Sequence, residues 1–154
     1  MSSSLDSTIV AWDVHKKKCL ARDKFTSAPG AGTNPPLAHC VDFSRDGSTV
    51  ATALGDGSIV LSSWKQLRRT AVFAQKHAAA ACSVCFLRSG KQMVSGGLDE
   101  AVMLWNATAK GAVAAAPLQR WDKQGKVNWI ASHPTQDAFF LASSSSSIRM
   151  FTIR

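Results

Sequence analysis

No run in this sequence approaches the roughly 18 consecutive apolar residues that a membrane-spanning helix needs, although 45% of its 154 residues are hydrophobic. The start, Met-Ser-Ser-Ser-Leu-Asp, has neither the basic region nor the apolar run of a secretory signal. An intracellular protein, cytoplasmic or nuclear and without a membrane partner, is therefore expected. Cysteine is scarce, and of the four only Cys82 and Cys85 stand at C-x-x-C spacing. On a strand, residues three apart point to opposite faces, so the two sulfurs diverge. No second pair exists, so the reading is buried strand cysteines in a reducing compartment, with Cys19 and Cys40 alone on other strands. The four histidines lack metal-ligand spacing: His39 precedes a predicted strand and His133-Pro134 marks a turn. A glycine-rich phosphate loop, paired carboxylates and a nucleophile elbow are all missing. No catalytic residue, metal or cofactor is expected.

What the chain does have is a repeat. A local pattern returns four times, ending at Trp12, Ser62, Trp105 and Phe151, with end points 50, 43 and 46 residues apart. The third copy is the most complete: His77, then V-S-G-G-L-D from Val94 to Asp99, then V-M-L-W-N from Val102 to Asn106. The others read M-S-S-S-L-D with I-V-A-W-D, T-A-L-G-D with I-V-L-S-S, and a serine run with I-R-M-F-T. Alternating apolar and polar residues between these signals predict strands. Turn formers such as Arg45-Asp46-Gly47, Asp56-Gly57 and Ser89-Gly90 fall between them.

On these residues the chain resembles the WD-repeat (WD40) family over essentially its whole length. The spacing is close to the roughly 40–45 residues of one such repeat. The resemblance implies an all-β WD40 β-propeller of four-stranded antiparallel blades whose innermost strands line a central channel. It also assigns a hydrogen-bonded structural tetrad: His77 in the loop before the first strand, Ser95 on the second, Asp99 in the turn and Trp105 on the third. A buried carboxylate and an indole N–H both need partners, and a histidine between them supplies one. The Ser, His and Asp of a hydrolase triad thus coincide here in a structural role. The first copy keeps Ser2, Asp6, Trp12 and Asp13. The second keeps Thr52 and Asp56 but has Ser62 in the Trp slot and no matching histidine. The last has Phe151 in the Trp slot. Each missing member removes a bond worth roughly 0.5–1.5 kcal/mol, so these blades should be less rigid.

The predicted strands give a partial blade at 1–25, blades at 38–74 and 82–117, and a last blade at 127–154 without its outer strand. That is about thirteen strands, or about three and a quarter blades, whereas closed rings have roughly four to eight. Met1 aligns with Val94, so a fragment of a longer propeller is expected, with a ring completed by a second chain as the alternative. Open blade edges would favour self-association. The stretches 94–106, 34–39 (N-P-P-L-A-H) and 125–130 (G-K-V-N-W-I) resemble one WD-repeat subfamily and place the chain in its C-terminal portion. Trp129 is expected in the core or channel wall, and Trp121-Asp122 in a loop.

The chain carries 18 Lys and Arg against 10 Asp and Glu, a formal charge of +8. Lys16 to Lys18, then Lys65, Arg68 and Arg69, then Lys110 follow the third strands of successive blades, and Arg45, Arg88 and Lys91 lie in turns between first and second strands. In a propeller both turn types open on one end, so one basic face is predicted. The reading is a non-catalytic protein-interaction scaffold whose candidate contacts are Lys17, Arg45, Arg68, Lys91 and Arg154, with an acidic protein surface as partner. The alternative is RNA or DNA bound by the same face, for which Trp64 beside Lys65 is the one aromatic candidate. The subfamily resemblance implies a further role, as substrate receptor for a cullin-4 ubiquitin ligase through its adaptor. The signature for that is W-D-x-R, against which this chain has Trp12-Asp13-Val14-His15 and Phe151-Thr152-Ile153-Arg154.

Overall fold

Short runs rich in Val, Ile, Ala and Ser pair into four antiparallel sheets, which follow one another along the chain. The computed structural model describes residues 1–26, 34–74, 76–108 and 116–153. The first sheet holds β1 (Ser2–Ser3), β2 (Thr8–Asp13) and β3 (Lys18–Lys24). The second holds β4 (Ala38–Phe43), β5 (Thr49–Leu54), β6 (Ile59–Ser63) and β7 (Arg69–Phe73). The third holds β8 (Ala81–Phe86), β9 (Gln92–Gly97), β10 (Val102–Asn106) and β11 (Gln119–Trp121). The last holds β12 (Val127–Ser132), β13 (Ala138–Ser143) and β14 (Ile148–Thr152). Each sheet is a meander of consecutive strands, and the four do not close into a ring. Two sequence expectations need correcting. The outer strand of the third blade lies beyond position 117, and Trp121 belongs to that strand rather than to a loop.

The repeat extends to details of register. All three inner strands, β4, β8 and β12, carry an irregularity one residue in, between Ala38 and Cys40, Ala81 and Ser83, and Val127 and Trp129. The bulge re-aims the residue that follows it. Cys40 Sγ then lies 3.6 Å from the Val84 carbonyl of the next blade, and Ser83 Oγ accepts the Ile130 N–H of its next blade at 2.9 Å. A second stitch joins β4 to β8, where the Asp42 carboxylate accepts the Phe86 N–H at 2.8 Å. Burial pushes the Asp42 pKa up, against the pull of the Phe86 and Phe43 N–H groups.

Blades pack through the residue in the third-strand slot. Trp105 is fully buried against Phe73, an outer-strand residue of the preceding blade, with ring centroids 4.9 Å apart. At the next joint Phe151 occupies the slot. It stacks on Phe139 at 4.9 Å, and Trp121 of the preceding outer strand closes on both rings at 5.7 and 5.8 Å. Phe73 and Trp121 are equivalent by register, since they pair with Ile59 and Val102, each three residues before its own blade's slot. The first joint is different. Asp23 stands at the equivalent position, paired with Ile9, and forms an ion pair with Arg69 at 3.1 Å. The slot residue there is Ser62. Its hydroxyl and that of Thr52 are buried without a hydrogen-bond partner among the described residues.

The outward faces of the end blades remain open. Trp12, in the same slot as Trp105, is 48% exposed. On the last blade Trp129 pairs with Ala142 and Ala142 with Ile148, while Phe140 pairs with Met150, giving an apolar grid. Trp129, Ile148 and Met150 are 57%, 77% and 55% exposed. Trp129 is exposed here, in the slot from which Cys40 and Ser83 reach the following blade. These are the faces on which the expected self-association would act. The cysteines also differ from expectation. Cys40 and Cys85 are buried and Cys82 is partly buried, but Cys19, on the outer strand of the first blade, is exposed. All four are free thiols, and burial pushes those of Cys40, Cys82 and Cys85 up in pKa.

The orphaned hydroxyls of the second blade make a prediction. An unsatisfied buried group costs about 1–3 kcal/mol, so the double substitution Thr52→Val and Ser62→Ala should leave stability unchanged or raise it by about 1–2 kcal/mol. Urea unfolding checks this; a loss above about 1 kcal/mol would mean that both hydroxyls are satisfied in solution.

Candidate functional site

The third blade brings together four side chains that the sequence spreads from position 77 to position 105. Trp105 Nε1–H donates to Ser95 Oγ at 2.8 Å, and Ser95 Oγ lies 2.8 Å from His77 Nε2. His77 Nδ1 lies 2.8 Å from Asp99 Oδ1, and Asp99 also accepts the Ala78 N–H at 3.0 Å. One proton arrangement satisfies every group: indole to hydroxyl, hydroxyl to imidazole, imidazole to carboxylate. Two glycines make room for it. A Cβ on Gly97 would stand 2.6 Å from Asp99 Oδ1 and 2.7 Å from His77 Nδ1. A Cβ on Gly96 would stand 2.6 Å from Val127 of the next blade. The pair Gly96-Gly97 thus opens space on both faces of β9.

Ser95, His77 and Asp99 sit at distances a hydrolase triad would show, yet the chemistry is closed. Ser95 and His77 are 0% and 2% exposed, and the serine oxygen already accepts the indole N–H. No substrate carbonyl can reach it. Burial lowers the His77 pKa below its ordinary 6.5, so the ring is neutral. Burial alone would raise Asp99, but hydrogen bonds from His77 and from the Ala78 and Ala101 amides bring it below its ordinary 3.8. Among the described residues no cluster of His, Cys, Asp or Glu could hold a metal ion.

The other copies keep fragments of this network. In the first, Trp12 Nε1 donates to Ser2 Oγ at 3.0 Å, and Asp6 accepts the Thr8 amide and hydroxyl at 3.0 and 2.6 Å. In the second, Asp56 accepts the Ser58 amide at 2.9 Å, while Thr52 and Ser62 do not meet. In the last, Phe151 replaces the hydrogen-bonded Trp by ring stacking.

The other candidates lie at one end of the sheets. In a four-strand meander, the turn after the first strand and the turn after the third emerge together. Lys17 and Arg68 occupy third-strand turns, Arg45 and Lys91 first-strand turns, and all four are exposed. Arg154 and Lys110 lie outside the described residues. Arg45 extends across to the last blade, donating to Ser132 Oγ at 3.1 Å, and Arg88 donates to the Pro134 carbonyl at 3.2 Å. Acidic groups on this end are fewer. Asp13 pairs with Lys16 at 3.9 Å, Asp46 is held in its own turn, and Asp137 accepts the Ser89 amide at 2.9 Å. The opposite end carries Asp6, Asp56, Asp99, Glu100 and Asp122. Trp64, partly buried, has the Lys65 ammonium 6.0 Å from its ring. Sequence reasoning missed a cleft of about 490 Å³ between the second and third blades, opening on the basic end. No linear signal marks it, because its walls come from turns more than forty positions apart.

The family profile "WD domain, G-beta repeat" matches residues 32–61 and 68–106, the second and third blades. The chain carries WD40 repeats over those residues. It is similar to the WD repeat-containing protein 53 homolog of Dictyostelium discoideum, 23% identical over 191 aligned positions that cover 100% of this chain and 52% of that protein. It is also similar to a guanine nucleotide-binding protein subunit beta-like protein of Encephalitozoon cuniculi (strain GB-M1), 23% identical over 143 positions, covering 93% of this chain and 42% of the relative. The chain therefore spans about half the length of these curated relatives or less. Among solved structures, U3-55K superposes with a TM-score of 0.81 at 19% identity over 98% of this chain and 44% of that one. The RRP9 WD40 repeats superpose with a TM-score of 0.82 at 19% identity over 98% and 43%. These two likenesses establish the WD40 fold.

The WD40 network carries two predictions. Ser95→Ala strands both the His77 ring and the Trp105 indole, so it should cost about 2–4 kcal/mol in urea unfolding. The network is also acid-sensitive. His77 and Asp99 both have lowered pKa values when folded, so on acidification the unfolded chain takes up protons first. Their contribution is complete above the ordinary value of 6.5 for histidine. It falls as the unfolded histidine protonates, and further once pH drops below 3.8. Unfolding at about pH 7.5 and about pH 5 should show the first loss, and His77→Gln should flatten it.

Proposed function

We propose that this WD40 chain is a non-catalytic interaction scaffold of the cytoplasm or nucleus that engages an acidic protein surface through its basic end. The observation that carries this reading is the placing of Lys17, Arg45, Arg68 and Lys91 on turns at one end of the sheets. The strands fix those turns. Arg45 and Arg88 are tied to the last blade, so less ordering remains to be done on binding. The triad-like residues are consumed by the fold, which supports a role without catalysis.

Support for the nucleic-acid reading is thinner. Stacking platforms are the usual companion of a basic groove, and Trp64, with the Lys65 ammonium 6.0 Å from its ring, is partly covered. The cullin-4 adaptor reading rests on subfamily resemblance alone. In the structure Asp13 of the Trp12-Asp13 pair is engaged by the Lys16 amide at 2.9 Å and followed by His15, not by an arginine.

Affinity purification from cells tests the reading. Recovered partners should be lost when Lys17 and Arg68 are changed together to Glu, and kept when Lys76 and Lys123 on the opposite end are so changed. Equal loss with both variants, or retention with both, would remove the basic end from the interaction. If the partners proved to be ribonucleoproteins released by nuclease, the alternative reading would hold.

A further inference from the structure

The cleft between the second and third blades has a specific polarity. One wall is the turn from Ser44 to Ser48 with Thr49 and Thr70 behind it; the other is Gly90 and Lys91 with Thr108. Lys91 has no carboxylate within 4.0 Å among the described residues, and neither has Arg45. The one acidic residue of the walls, Asp46, faces back into its own turn. It accepts the Ser44 hydroxyl at 2.5 Å, the Ser48 amide at 3.0 Å and the Ser48 hydroxyl at 2.7 Å. These donors hold its pKa at about 2. The cleft thus offers two cations without a carboxylate partner, with its own carboxylate satisfied and the Thr70 and Thr108 hydroxyls donating to the Leu61 carbonyl and Asn106 Oδ1.

We infer that this cleft seats the anionic side chain, carboxylate or phosphate, of an extended peptide, with Lys91 and Arg45 as its charge partners. The inference rests on the reading of the basic end as the interaction surface and gives that surface an anchor. A volume of about 490 Å³ suits one side chain with its flanking backbone. The surroundings favour a peptide over nucleic acid. Asp46 and Asp137 stand to either side of Lys91, so an isolated negative charge is attracted while a continuous polyphosphate meets a carboxylate at each flank. A second, smaller cleft of about 350 Å³ continues from Lys91 toward Asp137, between the third and last blades, and gives an extended chain a path along the turns.

The test is an amide-resonance titration of the isotopically labelled chain with three probes. These are a blocked Gly/Ser hexapeptide containing one Glu, the same peptide with phosphoserine in that place, and an oligouridylate of similar length. Ser44 to Ser48 and Gly90 to Lys91 should shift with one or both peptides, and which of them binds identifies the anion source. Lys91→Glu should weaken peptide binding about tenfold or more, while Lys123→Glu on the opposite end leaves it unchanged. Arg45→Gln provides a second reading, and an unmoved Trp105 indole resonance confirms that each variant is folded. Shifts around Lys17 and Arg68 without any at the cleft would overturn the cleft but keep the basic end. No shift anywhere on that end would overturn both. Tighter binding of the oligouridylate at the same amides would reassign the cleft to nucleic acid.

Discussion

Each blade is a thin sheet with apolar side chains on both faces, so it is stable only where a neighbour covers each face. Everything else in the molecule follows from how that cover is made. The contact that makes it runs from an outer-strand side chain of one blade to the third-strand slot of the next, as from Phe73 to Trp105. A tryptophan fills the slot with the largest apolar area available, and aromatic pairing adds about 0.5–1.5 kcal/mol beyond burial. It also brings an N–H that must find an acceptor once water is gone. Ser95, His77 and Asp99 form the relay that passes this requirement to an ionised carboxylate at the edge of the sheet. The tetrad is thus a consequence of the joint.

The joints differ in how they meet that requirement. The last blade drops the N–H altogether, using Phe151 against Phe139 and Trp121, and then needs neither histidine nor relay. The second blade drops the tryptophan but keeps two hydroxyls, Thr52 and Ser62, that were useful only to it. Its preceding joint adds polar contacts at the rim, where Arg69 pairs with Asp23, donates to the Lys24 carbonyl and covers the Phe25 ring at 4.8 Å. An ion pair at that exposure is worth about 0–1 kcal/mol, so the apolar cluster of Ile9 and Phe25 with Leu54 and Val60 contributes the larger part of this joint.

Much of this was legible because the repeat writes the same local chemistry at a steady interval. The signature of the third blade marked all four members of the network, and Ser62 showed that the second blade had lost its slot residue. Trp121 was not legible. It is the counterpart of Phe73, but Phe73 falls eleven residues after its slot and Trp121 sixteen, because more residues separate the two strands. Pairing register carries that equivalence, and spacing does not. Trp129 lies on an inner strand as read, but its exposure was not legible, because whether a following blade covers it is a property of the assembly. The cleft beside Lys91 was invisible since two turns from different blades build it.

Frame and surface are separated in this chain. Residues that join blades lie within strands, point along the blade stack, and are paired by groups on the next sheet. The charged residues lie in turns, where side chains leave the stack and no joint depends on their identity. Asp46 shows the boundary between the two roles. Its carboxylate shapes the turn through Ser44 and Ser48, and so is unavailable as a counter-charge to the cations around it. Arg45 crosses that boundary, lining the cleft while its guanidinium holds Ser132 two blades away. Turn charges anchored in this way lose little freedom when a partner arrives, and the strands beneath them have no need to move.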